Sequence, residues 1–224
     1  MNKKISVIIP ARNEAQCLPE VLKEMPMDII HEVIVVDGHS TDGTPEIVRS
    51  LGHRLIPQVG MGYGDAIDLG IASAEAKYVT IMDADGSYDP KNLYQLLNRI
   101  ESTGEDIIFS SRYLPESGSD DDTVIRFIGN KLFTFLLRLI HGVNITDSLF
   151  IYIMADKEIF KKFKMHSRHY EWCIELPIRI KQAGLTYSEV PSRERPRLYG
   201  DSQVNAFIDG LKILWTLIKY RFVK

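Results

Sequence analysis

Short runs of β-branched and apolar residues alternate with longer helix-like segments through the first half of the chain, and turn residues close each run. Such runs are typical of buried parallel strands, which need crossover helices between them. The alternation therefore predicts an α/β fold with a mostly parallel central sheet and helices on both faces. The strands are predicted at residues 5–9, 32–36, 54–56 (a weak run), 78–82 and 106–109. The helices are predicted at residues 15–24, 45–51, 64–74 and 90–101.

The alternation of strands and helices fades after Arg112. The second half predicts a long and unusually apolar helix at 125–141, a strand at 150–154, a helix at 171–182, a strand at 186–190 and a final helix at 204–222. A chain of 224 residues is long enough for one α/β core and too short for two comfortable ones. We therefore predict a single domain, 1–224.

Composition narrows the range of partners. The formal net charge of −3 argues against a nucleic-acid backbone as the main partner. The two cysteines, Cys17 and Cys173, show neither disulfide-framework nor zinc-ligand spacing. We expect a small ligand and a reduced, cytoplasmic compartment. No apolar run reaches the ~18 residues of a membrane span, so any membrane contact is expected to be peripheral, at the cytoplasmic face.

Two acids, Asp83 and Asp85, follow the predicted strand at 78–82. Ligands of parallel sheets bind beyond the carboxyl ends of the strands, and an extended backbone would point both carboxylates the same way. Like charges this close are costly unless a cation or a raised pKa relieves them. Their oxygen atoms suit Mg²⁺ or Mn²⁺ bound together with substrate phosphates. A solvated strand end is the simpler alternative, but a third strand-terminal acid favours a metal site.

That third acid is Asp37, which follows the predicted strand at 32–36. A carboxylate accepts hydrogen bonds from two adjacent donors, so Asp37 is a candidate contact to a nucleobase or ribose. The alternative is a turn before a helix, in which polar residues satisfy backbone amides. We expect Asp42 and Thr44 to be structural, with the Thr44 hydroxyl capping the helix that Pro45 begins.

Arginines and apolar helices stand out in the second half. Arg112, Arg126, Arg195 and Arg197 are candidates to bind phosphate, because a guanidinium group matches phosphate bidentately, and a solvated surface charge is the alternative for each. Arg197 is the strongest of the four, since a glycine-containing loop follows it. The helical segments 125–141 and 204–222 are apolar with nearby cations. Each therefore either caps the core or lies in a membrane interface.

Three motifs occur in order along the chain: VIIPARNE at 7–14, VVDGHSTDGT at 35–44 and DADG at 83–86. In this order and spacing they resemble the family 2 glycosyltransferases with the GT-A fold. Further motifs resemble the polyprenyl-phosphate (dolichyl-phosphate) mannosyl- and glucosyltransferases of that family. They are SRY at 111–113, GN at 129–130, TDS at 146–148, EVP at 189–191 and RLYGDS at 197–202. The resemblance covers nearly the whole chain.

The resemblance implies roles for individual residues. The nucleoside of a nucleotide-diphospho-sugar would contact Pro10, Ala11, Glu14 and Asp37. The metal and the sugar-diphosphate would meet Asp83 and Asp85. Arg197 and Ser202 would close on the donor phosphates, Arg112 and Arg126 would hold the phosphate of a lipid acceptor, and Asp147 matches an active-site acid. Residues 1–112 would form the nucleotide-sugar-binding half, 113–203 the acceptor half, and 204–224 a C-terminal amphipathic helix.

The chain departs from the family pattern at four places. Ser87 stands where relatives often carry Gln or His, and Gly62-Tyr63-Gly64 replaces Gly-Lys-Gly. The motif at 149–152, LFIY, replaces Ser-Gly-Phe, and Gln203 replaces a lysine. We interpret the glycines at 60, 62 and 64 as a tight turn at the edge of the donor pocket.

These observations predict a metal-dependent inverting transfer of mannose or glucose from a nucleotide-diphospho-sugar to a polyprenyl phosphate. That acceptor is already an anionic nucleophile, so a strong general base is less necessary than for a sugar hydroxyl. A soluble saccharide or small hydroxyl acceptor is the alternative, and it would require a base, either Asp147 or Glu175. A non-catalytic protein that binds nucleotide-sugars is the third hypothesis. The nucleotide and the oligomeric state are left open.

Overall fold

The computed structural model describes residues 3–200 and 206–222. Within these ranges the strands are β1 (Ile5–Ala11), β2 (Ile30–Asp37), β3 (Arg54–Pro57), β4 (Tyr78–Ile81), β5 (Ile107–Ser111), β6 (Gly118–Ser119), β7 (Ile153–Asp156), β8 (Tyr187–Pro191) and β9 (Arg193–Glu194). The helices are α1 (Leu18–Lys23), α2 (Thr44–Ser50), α3 (Tyr63–Ser73), α4 (Asn92–Thr103), α5 (Val124–His141), α6 (Trp172–Gln182) and α7 (Ala206–Phe222). A 3₁₀ turn, Lys157–Lys161, follows β7.

Seven of these strands form one sheet in the order β3-β2-β1-β4-β7-β5-β8. Neighbouring strands are parallel, apart from the two pairs that include β7. Helices cover both faces, and β1 shows this in its alternation. Ile8 packs into the apolar cluster that contains α3 and α6, whereas Val7 and Ile9 pack into the cluster that contains α1 and α4. The predicted α/β fold is confirmed.

The direction of β7 decides what lies beside β4. Ile153, the first residue of β7, pairs with Ile81, the last residue of β4. The segment just before β7 therefore lies at the carboxyl edge of β4, where the sequence places Asp83 and Asp85. Sequence periodicity predicts a strand here at 150–154 but carries no information about its direction.

Element boundaries differ from the predictions where polar side chains hold the backbone. The helix predicted from residue 15 begins at Leu18, and the Ala15 amide donates instead to Asp42 (3.0 Å). The predicted cap by Thr44 is wrong. Gly43 is the cap residue of α2, and the Thr44 hydroxyl donates to the Asp42 carboxylate (2.6 Å). The strands β6 and β9 have no predicted counterpart, since two residues are too few to show a period.

The sheet continues across the predicted boundary at residue 112. β7 lies between β4 and β5, so the second half of the chain inserts a strand among those of the first half. The single domain 1–224 and its division at 112 and 203 stay predictions. Helix α7 packs against α5 and α6. None of the described helices is long and apolar enough to cross a membrane.

Candidate active site

The loops that follow β1 and β2 are tied to each other by side chains. The Asn13 carboxamide accepts a hydrogen bond from the Thr41 amide (2.9 Å), and the Ser40 hydroxyl accepts one from the Asn13 amide (2.8 Å). The Thr44 hydroxyl accepts one from the Glu14 amide (2.9 Å). Asn13 itself has a φ of 58°, which its short amide side chain tolerates better than most. These bonds hold the two loops together at the carboxyl edge of β1 and β2.

Asp37 is the last residue of β2, and only one of its two carboxylate oxygens accepts a hydrogen bond from a described residue. It is buried, and its Oδ2 accepts a hydrogen bond from the Ser40 amide (3.2 Å). Its Oδ1 has no hydrogen-bond partner among the residues that the structure describes. A buried polar atom without a partner costs about 1–3 kcal/mol, so the position is suited to a ligand donor. Ala11 pairs directly with Asp37 in the sheet and Pro10 precedes it, so three of the four predicted nucleoside contacts lie together.

The acidic pair lies in a turn after β4. The chain turns at residues 84–86, and Gly86 has a φ of 84°, so the expectation of extended backbone through both acids is wrong. The Asp85 carboxylate accepts hydrogen bonds from the Ser87 amide (2.9 Å) and hydroxyl (2.7 Å). Ser87 therefore orients the second acid through direct hydrogen bonds.

Asp83 is held by aromatic hydroxyls. The Tyr63 hydroxyl donates to its Oδ1, and the Tyr63 ring stacks on Tyr170 with 5.1 Å between ring centroids. Burial raises the pKa of Asp83 to about 7, and the nearby charge of Asp85 adds to the rise. Hydrogen bonds from Tyr63 and Tyr88 act in the opposite direction. The two acids are thus close enough to repel each other, as the sequence predicts.

A strap at residues 193–200 crosses over the acidic turn. The Leu198 amide donates to the backbone carbonyl of Asp85 (2.9 Å), and Leu198 covers Gly86. The Arg197 guanidinium donates to the Asp85 carboxylate (3.0 Å) and forms an ion pair with Glu14. Arg197 thereby joins a residue predicted to contact the nucleoside to one predicted to bind metal. Ser202, its predicted companion, lies outside the described residues.

Arg112 and Asp147 form a buried bidentate pair. The Arg112 Nε and Nη2 atoms donate to the two carboxylate oxygens of Asp147 (2.7 and 3.0 Å). Its Nη1 donates to Glu194 (3.0 Å), and the guanidinium lies over the Phe150 ring, 4.8 Å from its centroid. Asp147 accepts a further bond from the Arg112 amide (3.2 Å). Both residues are therefore occupied by contacts within the protein. This suits a role in positioning the surrounding loop better than direct contact with an acceptor.

Arg126 lies apart from that buried pair. It is exposed in the first turn of α5 and forms an ion pair with Asp121 (2.8 Å). The two regions meet at Tyr113, which follows Arg112 and packs edge-on against Phe127 with 5.5 Å between ring centroids. The structure therefore separates the two arginines predicted to act together into one buried and one exposed position.

Several residues at the site carry no strong sequence signal. Tyr63, Tyr88, Tyr170 and Glu194 all surround the acids or Arg112. The closest signal for Tyr63 is the pair of glycines beside it. A Cβ atom on Gly62 would lie 2.3 Å from the Arg168 carbonyl oxygen, and one on Gly64 would lie 2.7 Å from that of Ser167. The glycines let the loop at 166–170 approach Tyr63.

Glu175 is a structural acid. It is fully buried, and its carboxylate accepts hydrogen bonds from the amides of His166 (3.0 Å) and Ser167 (2.7 Å) and from Arg179 (3.1 Å). Burial alone would raise the pKa of Glu175, but hydrogen bonds, among them those from Ser167 and His166, lower it overall. A carboxylate used in this way does not offer a free base to an acceptor hydroxyl.

Comparison with known proteins decides the family. The family model described as glycosyl transferase family 2 matches residues 6–164, which is more than half of the chain. The chain belongs to glycosyl transferase family 2. It is therefore a glycosyltransferase, and the hypothesis of a non-catalytic binding protein is wrong.

Two relatives match almost the whole chain. An uncharacterized protein of Methanocaldococcus jannaschii is 31% identical over 96% of this chain and 91% of its own length. The low-salt glycan biosynthesis hexosyltransferase Agl6 of Haloferax volcanii is 30% identical over 98% of this chain and 53% of its own length. Glucosyl-3-phosphoglycerate synthase of Mycobacterium tuberculosis, solved with Mn²⁺, UDP and glucosyl-3-phosphoglycerate, shares the GT-A fold. Its TM-score is 0.81 at 20% identity, over 100% of this chain and 81% of that one.

Proposed function

We propose that this glycosyltransferase moves a hexose from a nucleotide-diphospho-sugar to a polyprenyl phosphate, with inversion and with Mg²⁺ or Mn²⁺. The observation that carries the donor half is the meeting of Asp83, Asp85 and Arg197 at the edge of β4. Two acids there suit a divalent cation, and an arginine beside them suits a diphosphate. The Asp37 oxygen that has no partner among the described residues, across the same edge, suits a donor group of the nucleoside.

The acids fit the implied metal by their chemistry. Both offer carboxylate oxygens, and their mutual repulsion is what a shared cation would relieve. When bound, the metal would supply charge stabilisation to the departing nucleoside diphosphate. Tyr63 and Ser87 orient the two carboxylates, and Arg197 is placed to exchange Asp85 for the donor phosphates. Support for the metal and the sugar class also comes from the Mn²⁺ and UDP of the mycobacterial synthase and the hexosyltransferase name of Agl6.

The acceptor half rests on the absence of a free base among the candidates. Asp147 accepts three hydrogen bonds from Arg112, and Glu175 is satisfied by two amides and Arg179. An acceptor hydroxyl would need such a base, whereas a phosphate oxygen attacks as an anion. The arrangement therefore favours a phosphate acceptor. Arg126 is the exposed arginine proposed to hold it, while Arg112 and Asp147 position the surrounding loop.

A soluble phosphorylated acid is a second candidate acceptor. The mycobacterial synthase was also solved with phosphoglyceric acid, which carries a phosphate that an arginine would hold but would attack through a hydroxyl and so would need a base. A polyprenyl phosphate lies in a bilayer, so it requires the peripheral membrane contact predicted above. The two candidates therefore differ in the attacking group and in whether the enzyme must reach a membrane.

A donor and acceptor screen tests the proposal. Nucleotide-sugars with Mn²⁺ are supplied with polyprenyl phosphate in detergent, 3-phosphoglycerate, simple sugars or no acceptor, and nucleoside diphosphate release is measured. We expect release to depend on the metal and to be fastest with polyprenyl phosphate. Arg126→Ala should raise KM for the lipid phosphate more than KM for the donor. Preference for 3-phosphoglycerate or for a sugar hydroxyl would overturn the acceptor assignment.

A further inference from the structure

Helices α5 and α7 expose an unusual share of apolar surface. Of the large apolar side chains that are exposed in the described residues, seven lie on α5, seven on α7 and seven on the rest. Scattered exposed hydrophobic residues are normal, but a contiguous apolar face of this kind marks an interaction surface. The two helices pack against each other, so their exposed residues belong to neighbouring elements.

Five of the exposed residues on α5 and six of those on α7 form one stripe on each helix. They recur every three or four positions, which is the spacing of a single helical face. The stripe on α5 comprises Ile125, Ile128, Leu132, Phe135 and Leu139, and the stripe on α7 comprises Phe207, Leu211, Leu214, Trp215, Ile218 and Phe222. Leu139, Ile218 and Phe222 line one shallow depression, so the stripes adjoin. We call the two stripes together the α5–α7 face.

The charges beside this face are cationic. Lys131 and Arg138 flank the stripe on α5, and Lys212, Lys219 and Arg221 flank that on α7. The acid in the described part of these helices is Asp209, which is buried beside Lys212. An apolar helix face with flanking cations suits a lipid surface with anionic headgroups, since the long cationic side chains reach the headgroups.

Acids close to the start of α5 are already engaged. Asp120 pairs with Arg193 (2.6 Å) and Asp121 with Arg126 (2.8 Å). Asp122 accepts a hydrogen bond from the Tyr113 hydroxyl (2.8 Å). A second copy of the chain is a poor occupant of the α5–α7 face, because a twofold contact would bring the two sets of cations together.

We infer that the α5–α7 face docks the enzyme on a bilayer that contains anionic lipids. The inference rests on the proposed function, because access to a polyprenyl phosphate is the reason why the enzyme would need to dock. The buried side of α7 packs against α6, which begins just after Tyr170, and Tyr170 stacks on Tyr63 beside Asp83. The α5–α7 face is therefore the outer side of a helix pair whose inner side borders the site.

Tryptophan fluorescence tests the docking without donor or acceptor. The sequence contains two tryptophans. Trp172 is 0% exposed and Trp215 is 65% exposed, so Trp172→Phe leaves one reporter on the face. We expect a blue shift on addition of phosphatidylcholine vesicles with phosphatidylglycerol, and quenching by brominated acyl chains. Without phosphatidylglycerol, binding should weaken by roughly tenfold or more.

Variants locate the surface. Ile125→Ser with Phe207→Ser removes two side chains that are 80% and 76% exposed, so folding should not change. This pair should weaken vesicle binding by at least about tenfold, given ~0.8 kcal/mol per buried CH₂. Lys219→Gln with Arg221→Gln should weaken binding to anionic vesicles alone. Val59→Ser with Leu51→Ser, on exposed apolar residues elsewhere, is the matched control and should bind normally.

Three results would overturn the docking. The first is the absence of vesicle binding by the parent chain, and the second is equal binding by the face variant and its control. The third is a dimer, measured by sedimentation, that is lost in the face variant, because it would assign the surface to a second copy. If vesicle binding fails while polyprenyl phosphate in detergent is still glycosylated, the docking inference falls and the proposed function stands. If vesicles are bound but no acceptor is glycosylated, the proposed function falls and the docking inference stands.

Discussion

The acidic edge of the sheet and the α5–α7 face are built in opposite ways. At the acidic edge the charged side chains are bound by other residues, as in the Arg197 bridge between Asp85 and Glu14, and only one oxygen of Asp37 lacks a partner among these side chains. At the α5–α7 face, large side chains such as Phe135 and Trp215 stand exposed. The first region is organised before a ligand arrives, whereas the second gains most of its contacts only when a partner covers it. Substitutions at the acidic edge should therefore alter turnover or folding, whereas substitutions at the α5–α7 face should alter membrane binding.

Loss of one of the two acids proposed to bind the metal should give the largest effect. Asp85→Asn keeps the size of the side chain but removes a charge at the proposed metal site. We expect the turnover rate to fall by more than about 100-fold, because metal stabilisation of the leaving group is worth several kcal/mol. Nucleoside diphosphate release measures the rate, and circular dichroism checks the fold. Asp28→Asn, at an exposed acid bound by Tyr94, is the control. Full turnover at saturating Mn²⁺ or Mg²⁺ would contradict the role of Asp85.

The buried and exposed arginines should differ sharply in stability. Arg112→Ala leaves the buried Asp147 carboxylate without its partner, so the free energy of unfolding should fall by about 3–5 kcal/mol. Arg126→Ala removes an exposed pair with Asp121 and should cost ~1 kcal/mol or less. Urea denaturation of both variants measures the difference. Equal costs would show that the Arg112–Asp147 pair does not brace the loop.

Arg197 should act on the donor more than on the fold. Arg197→Gln removes the cation proposed to meet the donor phosphates, and a hydrogen bond to a charged group contributes about 1.5–3 kcal/mol. KM for the donor should therefore rise by roughly 10- to 100-fold. Binding of Mn²⁺ without donor should not weaken, since Asp85 loses a competitor. Arg195→Gln is the matched control, because Arg195 lies on the same strap and pairs with Glu24 and Asp89. A similar rise in that variant would remove the special role of Arg197.

Much of the fold could be predicted because its signals are local. The β-branched runs and their turns specify where strands end, and strand ends place Asp37, Asp83 and Asp85 at one edge. The direction of β7 could not be predicted, since periodicity is the same in both directions. The turn at Gly86 could not be predicted either, because a short acidic motif is equally compatible with extended backbone.

The partners of charged side chains were the least predictable part of the site. Arg112 and Asp147 are 35 positions apart, and their pairing depends on the return of the chain through β7. The sequence indicates that both belong to the site but not that they bind each other. Tyr63 is similar, since its bond to Asp83 depends on how α3 begins beside the end of β4. Long-range pairing is set by tertiary packing, which local patterns do not encode.

Removal of the Tyr63 hydroxyl should give the smallest and most specific effect. Tyr63→Phe keeps the ring that stacks on Tyr170 but removes a hydrogen bond that lowers the pKa of Asp83, against burial that raises it to about 7. The pKa of Asp83 should rise further, so a smaller fraction of the carboxylate is ionised near neutral pH. Binding of Mn²⁺ without donor should then weaken by roughly fivefold, the equivalent of ~1 kcal/mol for one hydrogen bond. The loss should shrink as pH rises well above 7, because Asp83 ionises in both proteins. Paramagnetic titration of Mn²⁺ between about pH 6 and 9 measures it, with Tyr94→Phe as the control. A loss that is independent of pH would mean that Tyr63 acts on the metal site through packing and not through the charge of Asp83.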